Sequence, residues 1–391
     1  MRRLLPVLWL FASLMAAPAG ALPLPQPPEL AARAYLLLDL TSEQELAARD
    51  ADAPVPPASL TKLMTAYLVF DALRIGKLEL EQRLPVSELA QRQPGSRMFV
   101  AAGQRVPVED LIKGLLVQSG NDAAIALAEG VAGSVERFVQ LMNEQAQALG
   151  MKATRFANPT GLTQPGHQSS ARDLAILGTR LLRDFPAYAH FHAIRKYRYG
   201  GTPPANDGNR NLLLFRDPSV DGLKTGHTDA AGYCMVATAA REFPNLGPGA
   251  APGRRRLLAV VLGTDNENAR AGETQKLLNW GFSAFEAVKL FDANQAVLTP
   301  AVWKGSAATA PLGRVRPIVV AVPTGMSGRL RLQAVRPEPL VAPLARGQVT
   351  GTLKVFLGEQ SLTDFSLVAL DSVDEAGLIG RAWDAFRLWV Q

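Results

Sequence analysis

The 391-residue chain carries 41 Lys and Arg against 35 Asp and Glu, with 48% hydrophobic and 19% charged residues. A single core rarely grows past roughly 250–300 residues, so more than one domain is expected, and the composition excludes a disordered chain. The net charge of +6 is mild, and no dense Lys/Arg stripe with interleaved aromatics occurs, so nucleic acid is not an expected partner.

The N-terminus reads as an export signal. Arg2 and Arg3 precede an apolar stretch from Leu4 to Ala17, and Ala19-Gly20-Ala21 then offers small residues where a signal peptidase cleaves. Cleavage after Ala21 removes two Arg and no acid, leaving 39 basic against 35 acidic residues, a charge of +4. The mature chain keeps one cysteine, Cys234, so no internal disulfide or C-x-x-C site can form. Cys234 lies in the apolar run Gly232–Thr238, which reads as a buried strand in which the thiol packs.

A Pro-rich linker over 22–33 leads to a strand at Ala34–Leu40, with Thr41–Asp50 read as a turn. Pro54–Pro57 stop the chain before a helix with apolar positions at Leu60, Leu63, Met64, Tyr67 and Leu68. Val108–Ala132 reads as two helices broken near Gln118–Asn121. Further helices are expected at Val135–Leu149, Ser170–Leu182 and Glu273–Leu290, with strands at Tyr233–Ala240 and Arg255–Gly263. Strands early and late with helices between predict an α/β (α+β) layer structure with an antiparallel sheet over 34–290. After Phe291 the texture changes. Short β-type runs at Ala296–Trp303, Ile318–Val322, Arg329–Ala334, Thr350–Phe356 and Ser366–Leu370, punctuated by Gly and Pro, predict a small all-β domain over 291–372.

Three short motifs carry chemistry. In Ser59-Leu-Thr-Lys62, positions i and i+3 share a helix face, so the Lys amine can reach the Ser hydroxyl. A serine hydroxyl needs such a base, and a lysine serves only when burial or nearby positive charge lowers its pKa. Ser119-Gly-Asn121 interrupts an apolar run with polar side chains that need partners or a cleft. Lys224-Thr-Gly226, followed by His227, stands before an apolar strand, where Gly allows close backbone approach. Each motif alone has a bland reading as a cap, a joint or a turn. The ordered set, with gaps of 60 (119 − 59) and 105 (224 − 119) residues, does not.

That triplet resembles the one shared by penicillin-binding proteins and class A β-lactamases. Ser119–Ala124, Ser170–Asp173, Asn209–Asn211, Val220–Asp229 and Leu277–Phe282 further resemble the low-molecular-mass D-alanyl-D-alanine carboxypeptidases, from roughly Ala34 to the C-terminus. The resemblance implies that Ser59 is the acylated nucleophile and Lys62 its base, with Ser119 and Asn121 relaying protons and positioning substrate. It further implies that Lys224 completes a positive cluster and Thr225 holds the terminal carboxylate. Gly226 would let substrate backbone approach, and the backbone N–H groups of Ser59 and His227 would form the oxyanion hole. Arg270 would steer the carboxylate, and Asp173 and Arg210 would support the site from behind. The implied partners are peptidoglycan stem peptides ending in D-Ala-D-Ala and β-lactam antibiotics. No cofactor and no metal are expected. His167, His190, His192 and His227 show no ligand spacing beyond His190-x-His192.

A β-lactamase shares the triplet, but class A enzymes activate the deacylating water with a glutamate between the second and third motifs. Residues 145–172 hold no Asp or Glu, and Gly120 stands where β-lactamases carry Asp. A transpeptidase or endopeptidase would use the same nucleophile with another acceptor or leaving group. A non-catalytic wall-binding scaffold would keep the fold, but retention of every motif residue favours catalysis. Over 373–391, Leu378, Ile379, Ala382, Trp383, Phe386, Trp389 and Val390 fall on one helical arc, with Arg381, Asp384, Arg387 and Gln391 opposite. Leu388 is the exception. This amphipathic tail suits an anchor lying in a membrane surface. Together with the leader, it places the protein at the periplasmic face of the inner membrane.

Overall fold

The computed structural model describes residues 25–243 and 253–377. The leader over 1–21 and residues 378–391 of the tail lie outside the described residues. Within 373–377 the chain is not helical, because Val373 bridges Leu344 and Glu375 bridges Gly305.

The larger unit is built on a five-stranded antiparallel sheet. Its strands run in the order Gln44–Arg49, Ala34–Asp39, Gly253–Thr264, Gly232–Phe243 and Val220–Thr228. The period of two in their sequences sends alternate side chains to opposite faces. Leu36, Val236, Leu258 and Val260 join the core on one face, while Leu37, Met235, Leu257 and Ala259 join the core on the other. Both faces are therefore covered by helices. Leu277 and Leu278 of the helix Glu267–Ala284 cover the second face. The first face carries the buried helix Lys62–Arg74 and, around it, the helices Asn121–Ala132, Val135–Ala148 and Ala171–Asp184. Ser134, Ser170 and Asn266 cap three of these helices by accepting the N–H of the residue three positions on.

Two expectations are corrected. Thr41–Asp50 is not only a turn: Gln44–Arg49 pairs with Ala34–Asp39 as the sheet's outer strand. The helix expected over Glu273–Leu290 starts earlier, at the Asn266 cap, and ends at Ala284. From Phe285 the burial alternates, and Phe285–Phe291 pairs as a strand with Ile318–Pro323. The period changes from 3.6 to 2 at that point, and the pairing partner lies in the smaller, all-β part. Beside this two-stranded pair, that part holds a second five-stranded sheet, in the order Leu330–Val335, Val349–Leu357, Gln360–Ala369, Leu312–Gly313 and Ala296–Leu298. It packs around Leu312, Val320, Leu353, Val355 and Leu367.

The two parts are fastened at the outer strand. The Gln44 amide donates to the Ala321 carbonyl at 3.1 Å and accepts from the Ala321 N–H at 2.7 Å. Nearby, Glu43 meets Arg314 at 2.7 Å, Arg183 at 3.0 Å and Arg316 at 3.3 Å.

Beneath this junction lies a buried ion pair. Arg255 donates from Nε to Asp39 at 2.7 Å and from a terminal nitrogen to the Phe285 carbonyl at 2.6 Å. Asp39 also accepts the N–H groups of Thr41 and Ser42. Removing one member of such a pair strands the other's charge, at about 3–5 kcal/mol. Asp39→Ala is therefore expected to lower the thermal midpoint sharply, whereas Asp39→Ala with Arg255→Leu recovers most of the loss. Thermal unfolding of the three proteins reads the difference.

Candidate active site

The three motifs converge between the sheet's free edge and the buried helix. Ser59 lies in a short 3-10 turn, Ala58–Thr61, that runs directly into the helix Lys62–Arg74. Ala58 is held at φ +48, a conformation an L-residue rarely adopts. The bend needs space behind it, and Gly161 provides that space. A Cβ on Gly161 would sit 1.9 Å from the Ala58 carbonyl oxygen. On the other side, Gly226 of the edge strand comes so close that a Cβ there would lie 3.1 Å from the Ser59 and Leu60 nitrogens.

The Lys62 amine is fully buried and has three partners: Ser59 Oγ at 2.9 Å, Asn121 Oδ1 at 2.7 Å and the Thr160 carbonyl at 2.6 Å. Asn121 Oδ1 and the Thr160 oxygen can only accept. A neutral Lys62 keeps two protons for them and turns its lone pair to the Ser59 hydroxyl. Burial brings its pKa down to about 7, even though Asp122 pulls the other way. The amine is thus close to half neutral near pH 7.

Lys224 lies behind the same cleft, equally buried, and donates to Ser119 Oγ and the Thr225 carbonyl, both at 2.9 Å. Burial, then the charges of Lys62, Arg270 and Arg210, hold its pKa well below the usual lysine range. Ser119 itself stands at φ +60, ending a π-helical turn over Gly114–Gln118. That conformation swings the hydroxyl out of the helix line toward Lys224.

Residues outside the three motifs hold this arrangement. Asp122 is buried and accepts the backbone N–H groups of Met98, Phe99 and Val100. It also explains Gly120, since a Cβ there would meet the Asp122 carboxylate at 2.8 Å. Asn158 accepts from Thr160 and Gly161, shaping the turn whose carbonyl reaches Lys62. His167 Nδ1 accepts the Ala157 N–H at 2.9 Å, which leaves Nε2–H to donate to Thr61 Oγ1 at 2.7 Å. With both ring positions committed, burial and then the Lys62 charge lower its pKa to about 4. Asp122 carried a legible signal: an acid that interrupts the apolar stretch Leu115–Ala128 must be buried and hydrogen-bonded or face a cleft. The Thr160 carbonyl carried none, because a backbone acceptor has no residue type.

The cleft in front of these groups encloses about 330 Å³ and is walled by Ser59 and Asn121, Gly95–Arg97 and Phe99, Thr160–Leu162, Asn206 and Arg210, and His227 and Thr228. Among the described residues, no carboxylate is part of these walls. Lys62, Ser119, Lys224, Thr225 and Gly226 stand just behind them. His227 is exposed at the rim, with its ring 4.0 Å from that of Tyr233. Arg270 sits behind the edge strand instead of in the cleft. It is 3% exposed and donates to the carbonyls of Gly226 at 3.4 Å and Arg210 at 3.0 Å, and it pairs with Glu267. Arg210, expected behind the site, presents an exposed side chain to the cleft. Asp173, also expected behind the site, accepts from Ala153 N and Thr154 Oγ1, neither of which lines the cleft. His190 and His192 have separate settings, His192 being buried against the Leu223 carbonyl. Cys234 is buried, and burial pushes its thiol up to about 11, so it packs and does not react.

A serine hydroxyl on a buried, depressed lysine, next to a second serine–lysine pair, is an acyl-transfer site working through a covalent serine intermediate. The comparisons with known proteins agree. Residues 23–266 match the D-alanyl-D-alanine carboxypeptidase family model, and residues 285–375 match that of the penicillin-binding protein 5 C-terminal domain. The chain is 40% identical to D-alanyl-D-alanine carboxypeptidase DacC of Escherichia coli over 365 residues, 91% of this chain and 88% of the relative. It is 36% identical to D-alanyl-D-alanine carboxypeptidase DacA of the same organism over 373 residues, 93% and 89% of the two chains. The solved penicillin-binding protein 5 of Haemophilus influenzae superposes with a TM-score of 0.81 at 35% identity, covering 90% of this chain and 99% of that one. The chain belongs to the D-alanyl-D-alanine carboxypeptidase family of serine peptidases.

Gly161 is the position where geometry is least forgiving. Gly161→Ala is expected to displace Ala58 and Ser59 and to slow acylation by a fluorescent penicillin at least tenfold, on the order of 1.4 kcal/mol. Stopped-flow labelling measures the rate, and circular dichroism checks that the fold persists.

Proposed function

We propose that this protein is a serine-type D-Ala-D-Ala carboxypeptidase, which removes the terminal D-alanine from peptidoglycan stem pentapeptides. The observation that carries this reading is the Lys62 amine, caught between Ser59 Oγ and two groups that can only accept.

Neutral Lys62 takes the Ser59 proton as Oγ attacks the carbonyl carbon of the penultimate D-alanine. The oxyanion forms between the backbone N–H groups of Ser59 and His227, where preorganised donors stabilise developing charge most. The close approach of Gly226 to the Ser59 backbone supports this pairing. Lys224 and Thr225 hold the terminal carboxylate. Arg270 acts through the strand, gripping the Gly226 and Arg210 carbonyls and adding positive charge behind the carboxylate. The proton on Lys62 passes by way of Ser119 to the leaving amine, and free D-alanine departs. Water then hydrolyses the Ser59 ester, with Lys62 again as base. A β-lactam acylates the same oxygen but leaves no departing amine. The ring-opened amine stays tethered to the acyl group and does not leave the cleft as D-alanine does, so this adduct is expected to outlast the peptide ester.

The base must be neutral, and its pKa is about 7. The protonated, inactive form therefore dominates below that value. D-Alanine release from a D-Ala-D-Ala peptide is expected to rise with pH through about 7 and then level, and to vanish in Ser59→Ala. General base catalysis contributes about 10²–10⁴-fold, so Lys62→Met should lose at least the lower figure. A flat profile, or release by Ser59→Ala, contradicts the mechanism.

The same reading places the enzyme at the periplasmic face of the inner membrane, exported by residues 1–21 and held by the amphipathic tail over 373–391. The smaller β part, entered at residues 285–291, would stand between the catalytic unit and that tail. Removal of residues 376–391 is expected to release the enzyme from sedimented membranes while D-alanine release is retained, and continued sedimentation contradicts the anchor.

A further inference from the structure

We infer that Arg97 is a specificity-determining residue, which binds a side-chain carboxylate on the stem-peptide residue just before D-Ala-D-Ala. This rests on the carboxypeptidase reading above and names a feature of its substrate.

Arg97 walls the cleft. Its Nε is buried and has no hydrogen-bond partner among the described residues, and its guanidinium faces only the Phe99 ring, 4.9 Å from the centroid. The side chain as a whole is only partly buried, and its terminal nitrogens have no hydrogen-bond partner among the described residues, so they are open to an acceptor in the cleft. The planar fork of Arg matches a carboxylate with two parallel hydrogen bonds.

The segment that carries Arg97 is held rigidly at the reacting centre. Asn121 donates its backbone N–H to the Ser96 carbonyl at 2.7 Å and its side-chain amide to the Pro94 carbonyl at 2.6 Å. Asp122 clamps the next three N–H groups, and Thr202 Oγ1 donates to the Met98 carbonyl at 2.7 Å. Phe99 is kept at φ +71, which a bulky residue adopts only when its surroundings demand it. A lip tied to the residues that orient Lys62 positions a ligand-binding group relative to Ser59.

The field of the cleft selects an anion. Among the described residues its walls contain Arg97 and Arg210 and no acid. The terminal carboxylate is assigned to the edge strand, by Thr225 and the charge of Arg270. Arg97 stands on a different wall, so it serves a second carboxylate, one the peptide carries upstream of the bond that is cut.

Two peptides ending in D-Ala-D-Ala test this, identical except that the preceding residue bears a side-chain carboxylate in one and its carboxamide in the other. The expected wild-type preference for the carboxylate is about tenfold in kcat/KM, expressed mainly in KM, as one charge-assisted hydrogen bond supplies. Arg97→Gln should reduce that ratio to about one, and Arg97→Lys should restore part of it. Thermal melting confirms that both variants fold. Equal rates for both peptides with the wild type, or an Arg97→Gln loss that falls equally on both, would overturn the inference and leave the carboxypeptidase reading intact. No release from either peptide would overturn that reading, and the inference with it.

Discussion

The site depends on placing a lysine amine where no water can solvate it. An ammonium in that position is disfavoured, and the protein uses the penalty to make a base that operates near neutral pH. The two carbonyl acceptors give the penalty a direction. They take the protons that a neutral amine keeps, so the only orientation left for the lone pair is toward Ser59. Lys224 repeats the device on Ser119, and the Lys62 charge adds to burial in lowering its affinity for a proton.

Holding two buried amines requires unusual backbone. Ala58, Phe99 and Ser119 all stand at positive φ, each costing on the order of 1 kcal/mol, and all three flank the cleft. The surroundings that impose these conformations are themselves specific. Gly161 leaves room beneath Ala58, Asp122 clamps the backbone around Phe99, and the π turn before Ser119 ends where Lys224 waits. Strain stored at the site is balanced by the apolar packing of the helix Lys62–Arg74 and the sheet beneath it, in which nearly every side chain is buried.

The loop across the cleft also separates this site from a class A β-lactamase. In that position it offers the backbone oxygen of Thr160, pinned by the Asn158 turn, and no carboxylate. Gly120 belongs to the same distinction: the inward-facing Asp122 occupies the space that a side chain at 120 would need.

The sequence by itself determined the class of chemistry. Ser59 with Lys62, Ser119 with Asn121 and Lys224 with Gly226 are side-chain requirements, and side chains are what a sequence records. The antiparallel layered fold was legible too, through the strand-like apolar runs Tyr233–Ala240 and Arg255–Gly263 and the helical stretches between strands early and late in the chain. Less legible were elements whose identity is settled by a partner. Gln44–Arg49 is a strand because Ala34–Asp39 lies beside it, and Phe285–Phe291 leaves the helical pattern because Ile318–Pro323 pairs with it. Only the tertiary structure decided that Arg270 lies behind the edge strand while Arg210 faces the cleft, since both are merely basic residues in the chain. It alone revealed the Thr160 carbonyl on Lys62 and the unpartnered nitrogen of Arg97. Backbone oxygens look alike at every position, and burial arises from contacts between residues far apart in sequence. Those are the two quantities on which the reactivity of Lys62 depends.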